Sequence, residues 1–226
     1  MIIDQLREEM EEELTWRSDE LRMFKNNISS LTIKKDIYRK SLVVMLYAHY
    51  EGFTKMCFSI YIKFVNSLNL KRINIRHKPE LIASSMNKVF KKYDDKDRKN
   101  ELFKRSSQDD KSIHSIYRRA DLINGFNEYL EEIIEIDDDV INTESNLWSH
   151  VLEKNFYKLG IKHDIFKASY KDIDKLVNLR NSIAHGSEKR GINEKFYDHL
   201  EKTIIKNTME RLILIFSREA KILTNN

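Results

Sequence analysis

The stretch "LVNLRNSIAHG", residues 176–186, sets Arg180 five residues ahead of His185 and closes on Gly186. The two side chains suit different chemistry. A guanidinium keeps its charge and offers a planar fork of N–H donors that fits two oxygens of an anion. An imidazole changes charge near neutrality, so it can take up or release a proton. On a helical wheel Ile173, Leu176, Val177, Ile183 and Ala184 share one sector, Arg180 lies at its centre, and Asp172, Lys175 and Ser182 face away. An unpaired guanidinium on a core-facing stripe costs several kcal/mol. Either a buried carboxylate neutralises it, with Glu51 as the internal candidate, or the stripe opens into a cleft or subunit interface where an anion binds. Five residues of helix turn by about 140° and rise by roughly 7.5 Å, so Arg180 and His185 do not stack on one face. They can converge only because arginine is long and His185 occupies the last turn, or because a neighbouring subunit completes the arrangement. Taken alone, a histidine at a helix C-terminus also interacts favourably with the helix dipole.

The elements that must carry these residues are helical. Five glycines and one proline in 226 residues leave too few tight turns for a sandwich, a barrel or a Rossmann-type sheet. Apolar spacing predicts helices over 4–25, 34–66, 79–92, 118–134, 146–159, 168–185 and 193–222. Pro79 fits a first turn, Ser145 a cap, and Gly160 and Gly186 helix ends. The segment 34–66 is apolar nearly all round; Glu51, Lys55 and Lys63 interrupt it, which favours a central buried helix over a membrane span. The acidic start "MIIDQLREEMEEEL" is unlike a secretory signal, and a lone Cys57 suits a reducing compartment. The expectation is a cytoplasmic protein without membrane attachment, folded as one domain over 1–226 with 71–119 inserted as a basic connection.

Charge is distributed in blocks. Residues 71–119 hold 15 Lys/Arg against 7 Asp/Glu, whereas 120–152 hold none against 9. The basic block interleaves Lys88, Lys91, Lys92, Arg98, Lys99, Lys104, Arg105, Arg118 and Arg119 with Phe90, Tyr93, Phe103 and Tyr117. Such a surface can track phosphates and stack on unpaired bases, or its aromatics can be core and its charges merely solubilising. Within 91–112 too few apolar residues occur to bury, which predicts a mobile loop or a short exposed helix.

The motif and its surroundings resemble the HEPN superfamily (higher eukaryotes and prokaryotes nucleotide-binding domains), in particular its prokaryotic stand-alone ribonucleases. The resemblance rests on Arg180, Asn181, the Ser182–Ile183–Ala184 spacer and His185, on "YRKSLVVMLYAHYEGFTKM" with its His49-to-Gly52 core, and on "LRMFKNNI" and "SNLWSHVLEKNFYKLG". It does not extend to 71–119. It implies an all-α bundle of up-and-down core helices, paired into a homodimer so that two Arg-x4-His motifs face one cleft. Many such proteins are metal-independent endoribonucleases of toxin–antitoxin and anti-phage systems. Others are catalytically silent modules that bind RNA, a nucleotide or a protein partner.

RNA carries its own nucleophile, the 2′-OH beside each phosphate. Cleavage needs that hydroxyl deprotonated, the leaving 5′-oxygen protonated and the phosphorane stabilised. His185 is the expected general acid/base and Arg180 the stabiliser. Asn181 is expected to orient His185 or the phosphate, and Glu51 to hold Arg180, tune His185 or serve structure alone. No cofactor or metal is called for. Asp137–Asp139 lack the spacing of a calcium loop, the remaining histidines lack ligand spacing, and no phosphate-binding glycine loop occurs. A further possibility is an interaction protein whose block from 120 to 152 docks a basic antitoxin or regulator.

Overall fold

The computed structural model describes residues 2–103 and 111–225. It is all-α. The helices are α1 (Ile3–Ser30), α2 (Lys35–Ser67), α3 (Pro79–Ser85), α4 (Asn87–Asp94), α5 (Lys111–Glu131), α6 (Ser149–Lys158), α7 (Tyr170–Ala184), α8 (Glu194–Ile204) and α9 (Glu210–Thr224). A π-helical turn at Ile205–Met209 joins the last two. Among the described residues no β-strand forms beyond one isolated bridge, Lys71 with Ile133. No helix among them is long and apolar enough to cross a membrane.

The near-continuous apolarity of α2 follows from its place. It packs against α1, α7, α8 and α9 and buries side chains all round, among them Leu46, Tyr47, Tyr50, Phe53, Phe58 and Tyr61. The short turn after α1 sends the chain back along α2, and Lys34 takes a left-handed conformation (φ 57°) to start the second helix. α3 is tied to the bundle by a buried ion pair, Lys78 Nζ to Glu219 Oε2 of α9 at 2.7 Å. The same ammonium donates to the Gly160 carbonyl at 3.0 Å. Gly160 sits at φ 62°, and a Cβ there would press on Lys78 and Leu81 at 3.3 and 3.5 Å, so this glycine is fixed both by conformation and by close approach.

Three expectations change. The predicted helix over 79–92 breaks at buried Met86, because Arg72 reaches into the break and donates to the Ser85 hydroxyl at 2.9 Å and the Ser85 carbonyl at 3.4 Å. The helix expected from 118 begins at Lys111. The helix expected from 146 with Ser145 as cap begins at Ser149, with Trp148 in the cap position. Its cap comes from α7 instead. The Asp174 carboxylate accepts from the Ser149 backbone N–H and from the Ser149 hydroxyl, each at 2.9 Å. That releases residues 145–148 from the helix, with consequences for Arg180.

Candidate functional site

α7 carries the motif, and its apolar positions behave as the wheel requires. Ile173, Leu176 and Val177 are fully buried, and Ile183 packs at the edge of the core. Ala184 departs from the expectation and is exposed, since the helix is already leaving the bundle. The end of α7 is a Schellman cap. Gly186 at φ 72° donates to Ile183 O at 3.1 Å, and Ser187 N–H donates to Ser182 O at 2.9 Å. His185 occupies the C-cap, with its backbone N–H on Asn181 O at 2.9 Å and its imidazole exposed.

Arg180 is half-buried, and no carboxylate neutralises it. Its guanidinium carbon lies 4.5 Å from the centroid of the buried Tyr47 ring. Its Nη1 donates to Asn146 Oδ1 at 2.9 Å and to Asn181 Oδ1 at 2.7 Å. Among the described residues no acidic group lies within ion-pair distance of it. Nε and Nη2 make no hydrogen bond there, yet they are not among the buried polar atoms without partners, so they reach solvent. One nitrogen is therefore saturated by neutral amide oxygens and the other two are open. The charge is steadied by an aromatic face, an interaction worth about 1–2 kcal/mol when desolvated.

Tyr47 and Asn146 are linked in turn. The Tyr47 hydroxyl accepts from the Leu147 backbone N–H at 3.0 Å and donates to Asn146 Oδ1 at 3.4 Å. This is the use made of the chain left out of α6: it brings Asn146 to the guanidinium and Leu147 to the phenol. Burial pushes the Tyr47 hydroxyl above its ordinary value; the Leu147 N–H and Arg180 oppose the shift, and Glu51 adds to it. Neither Tyr47 nor Asn146 was singled out by sequence reasoning. Both lie within the stretches that carry the family resemblance, but their polarity gave no sign that they would meet Arg180.

The expected partners of the motif are redistributed accordingly. Glu51 is half-buried one turn beyond Tyr47 and acts on that hydroxyl, not as an ion-pair partner of Arg180. The Asn181 side chain binds Arg180, not His185. Within one protomer the Arg180 guanidinium bonds to Asn146 and Asn181, not to His185.

The basic residues of the insertion do not form one open surface. Arg98 donates to Asp121 Oδ2 at 2.6 Å and lies over Tyr93 and Tyr117 at 5.0 and 5.6 Å. Arg118 donates to the carbonyls of Tyr93 and Arg98 at 2.9 and 3.2 Å. Both serve the insertion's own packing, Tyr93 is buried rather than free to stack, and Lys99 is partly buried. Lys91, Lys92 and Arg119 are exposed, while Lys104 and Arg105 lie outside the described residues. The insertion is also rooted beyond Ser67, about 30 Å along the axis of α2 from Tyr47. Nearer the motif, the segment after α7 is stitched to the start of α2. Ile192 N–H donates to Asp36 O at 2.7 Å and Lys40 Nζ to Glu188 O at 2.6 Å. Lys189 and Arg190 stand exposed on this segment, a few residues after His185, and Lys34 is exposed at the start of α2.

Searches of curated proteins and of solved structures returned no match. The model of the RiboL-PSP-HEPN family matches residues 12–218, a span that includes α2, the Asn146 loop and all of α7. With that match over most of its length, the chain belongs to the RiboL-PSP-HEPN family of HEPN modules.

Proposed function

We propose that the protein is a metal-independent endoribonuclease that cleaves RNA by attack of a 2′-OH on the adjacent phosphate, acting as a toxin or anti-phage effector. The observation that carries this reading is the state of Arg180: a charge held on a phenol face and two amide oxygens, unneutralised, with Nε and Nη2 open. That edge presents parallel N–H donors of the kind that grip two phosphate oxygens. Neutral acceptors leave the full positive charge for the substrate, where a carboxylate partner would have spent it.

In the reaction His185 takes the 2′ proton as the oxygen bonds to phosphorus. Arg180 stabilises the phosphorane, and the bond to the 5′-oxygen breaks as that oxygen gains a proton. The products are a 2′,3′-cyclic phosphate and a 5′-OH end. An acid and a base are both needed, and one protomer supplies one His185. A homodimer with two motifs in a shared cleft supplies the pair and brings the exposed imidazoles and the Arg180 guanidiniums together at one phosphate. Asn181 holds Arg180 through Oδ1 and keeps its Nδ2 donors for the phosphate. RNA approaches over the exposed Lys189 and Arg190 that follow the motif.

The test is cleavage of end-labelled RNA in EDTA. Wild type is expected to cut and to leave cyclic phosphate ends. Arg180→Ala and His185→Ala are each expected to lose about 10²–10⁴-fold in rate. Undiminished cutting by both variants would overturn the assignment. A second reading, a silent module that binds RNA or a nucleotide without cutting, draws on the His185 imidazole, which is exposed and has no side-chain hydrogen bond among the described residues. It predicts binding that Arg180→Ala abolishes, and no cleavage by any variant.

A further inference from the structure

At the other end of α7 from the motif, the chain between α6 and α7 and the outer face of α9 line a groove of about 430 Å³. Lys162, Asp164 and Ile165 come from the first, and Arg211, Leu214, Ile215 and Arg218 from the second. At about 100° per residue these four α9 positions fall within a sector of about 100°, and the two arginines stand about 10 Å apart along the axis. Arg180 lies ten residues beyond Tyr170, the start of α7, a rise of about 15 Å, so the groove and the motif are separate places.

The charges of the groove are loosely held. Arg211 makes no hydrogen bond or ion pair among the described residues, and its guanidinium carbon lies 5.8 Å from the centroid of the buried Phe166 ring. Arg218 Nη2 donates to Glu219 Oε1 at 3.2 Å, but Lys78 already engages Glu219 Oε2 at 2.7 Å, so one carboxylate serves two cations. Lys162 Nζ stands 3.5 Å from Asp164 Oδ1, a surface ion pair of little worth. The Asp164 carboxylate accepts no hydrogen bond among the described residues. Beside the two guanidiniums, Leu214 is 61 % exposed.

We propose that this groove binds a nucleotide, either free or as one unit of an RNA strand. Arg211 and Arg218 take the phosphate oxygens, with Lys162 adding charge from the other side. Leu214 and Ile165 cover the base, and Asp164 accepts from the ribose hydroxyls. A pocket of this size with an apolar lining and a few polar groups suits a ligand of that kind. Inorganic phosphate would leave Leu214 and the carboxylate unused, and an acidic peptide would bring like charge to Asp164. The site does not depend on the ribonuclease reading, because it shares no residue with the motif.

The test is calorimetric titration of the full chain carrying Arg180→Ala, which removes the motif's grip on phosphate and, on the ribonuclease reading, the cutting. The titrants are the four ribonucleoside triphosphates, their 2′,3′-dideoxy counterparts, inorganic phosphate and a single-stranded RNA octamer. Saturable binding of a ribonucleotide or of the octamer is expected. Adding Arg211→Glu or Arg218→Glu should weaken it at least about tenfold. Arg211→Gln should weaken it too, and carries the test should Arg211→Glu fail to fold. Dideoxy nucleotides should bind about tenfold more weakly than ribonucleotides, a preference that Asp164→Ala should erase. Tighter binding of the octamer than of any triphosphate assigns the groove to a strand, and the reverse assigns it to a free nucleotide. No saturable binding of either, inorganic phosphate bound as tightly as the nucleotides, or binding that both arginine substitutions leave intact would overturn the proposal. None of these results bears on cleavage by Arg180 and His185, and a failure of cleavage would not bear on this groove.

Discussion

At the scale of single residues, the arrangement separates holding the guanidinium from using it. Tyr47, Asn146 and Asn181 engage one face and one nitrogen of Arg180, and none of them carries a negative charge. Asn146→Ala would remove one of two acceptors on Nη1 and let the fork turn. Cleavage should fall by about 10–100-fold while stability drops by about 1 kcal/mol, the net worth of one such bond. Asn146→Asp separates positioning from mere packing. It keeps the shape and gives Nη1 a charged partner, so thermal stability should hold or rise while RNA cleavage falls, because the carboxylate competes with phosphate for the same cation. Activity and melting temperature measured together decide the point: if Asn146→Asp cuts as fast as wild type, the neutrality of the cradle has no role.

At the scale of elements, the site is built by a helix that starts late. α6 would begin near Asn146 if the nearest polar side chain capped it. Because Asp174 reaches over from α7 to cap Ser149, the preceding residues are free to face Arg180 and Tyr47. Asp174→Ala should therefore cost about 1–2 kcal/mol through the lost cap, visible in denaturant melts. It should also slow RNA cleavage, although Asp174 touches neither Arg180 nor His185. Normal activity at lowered stability would confine Asp174 to the fold. This element also marks the limit of what the sequence makes legible. Periodicity exposes the buried α2, the core face of α7 and the strange position of Arg180 on it, and single glycines announce the ends at Gly160 and Gly186. Those signals are local. A cap supplied from 25 residues downstream, a break at Met86 met by Arg72, and Arg98 spent on Asp121 join side chains 13 to 25 residues apart, well beyond the helical spacings that periodicity reads.

At the scale of the molecule, one consequence concerns stability and one concerns assembly. His49 is buried between α1 and α2, edge-on to Trp16 at 5.4 Å and 3.1 Å from Glu20. Burial lowers its pKa from the ordinary 6.5, Arg17 adds to that shift, and Glu20 opposes it in part. Below pH 6.5 the unfolded chain then binds a proton that the folded chain resists. His49 thus contributes its full stability above that value and loses it as the pH falls toward its folded pKa. Wild type should lose more melting temperature between pH 7.5 and 5 than His49→Gln; equal losses would exclude His49 as the source. Assembly bears on the chemistry itself. With Arg180 anchored inward and His185 exposed at the helix end, the proposed reaction joins groups from two protomers. Arg180→Ala homodimers then keep two imidazoles without a stabilising cation, and His185→Ala homodimers keep two cations without a proton carrier. A heterodimer of the two variants carries one of each in the shared cleft. Co-expressed and purified together, the pair should cut RNA at least about tenfold faster than the two variants summed, though below wild type because one of the two imidazoles is missing. Activity no greater than the sum would mean that each protomer acts alone, and the shared cleft would have to be abandoned.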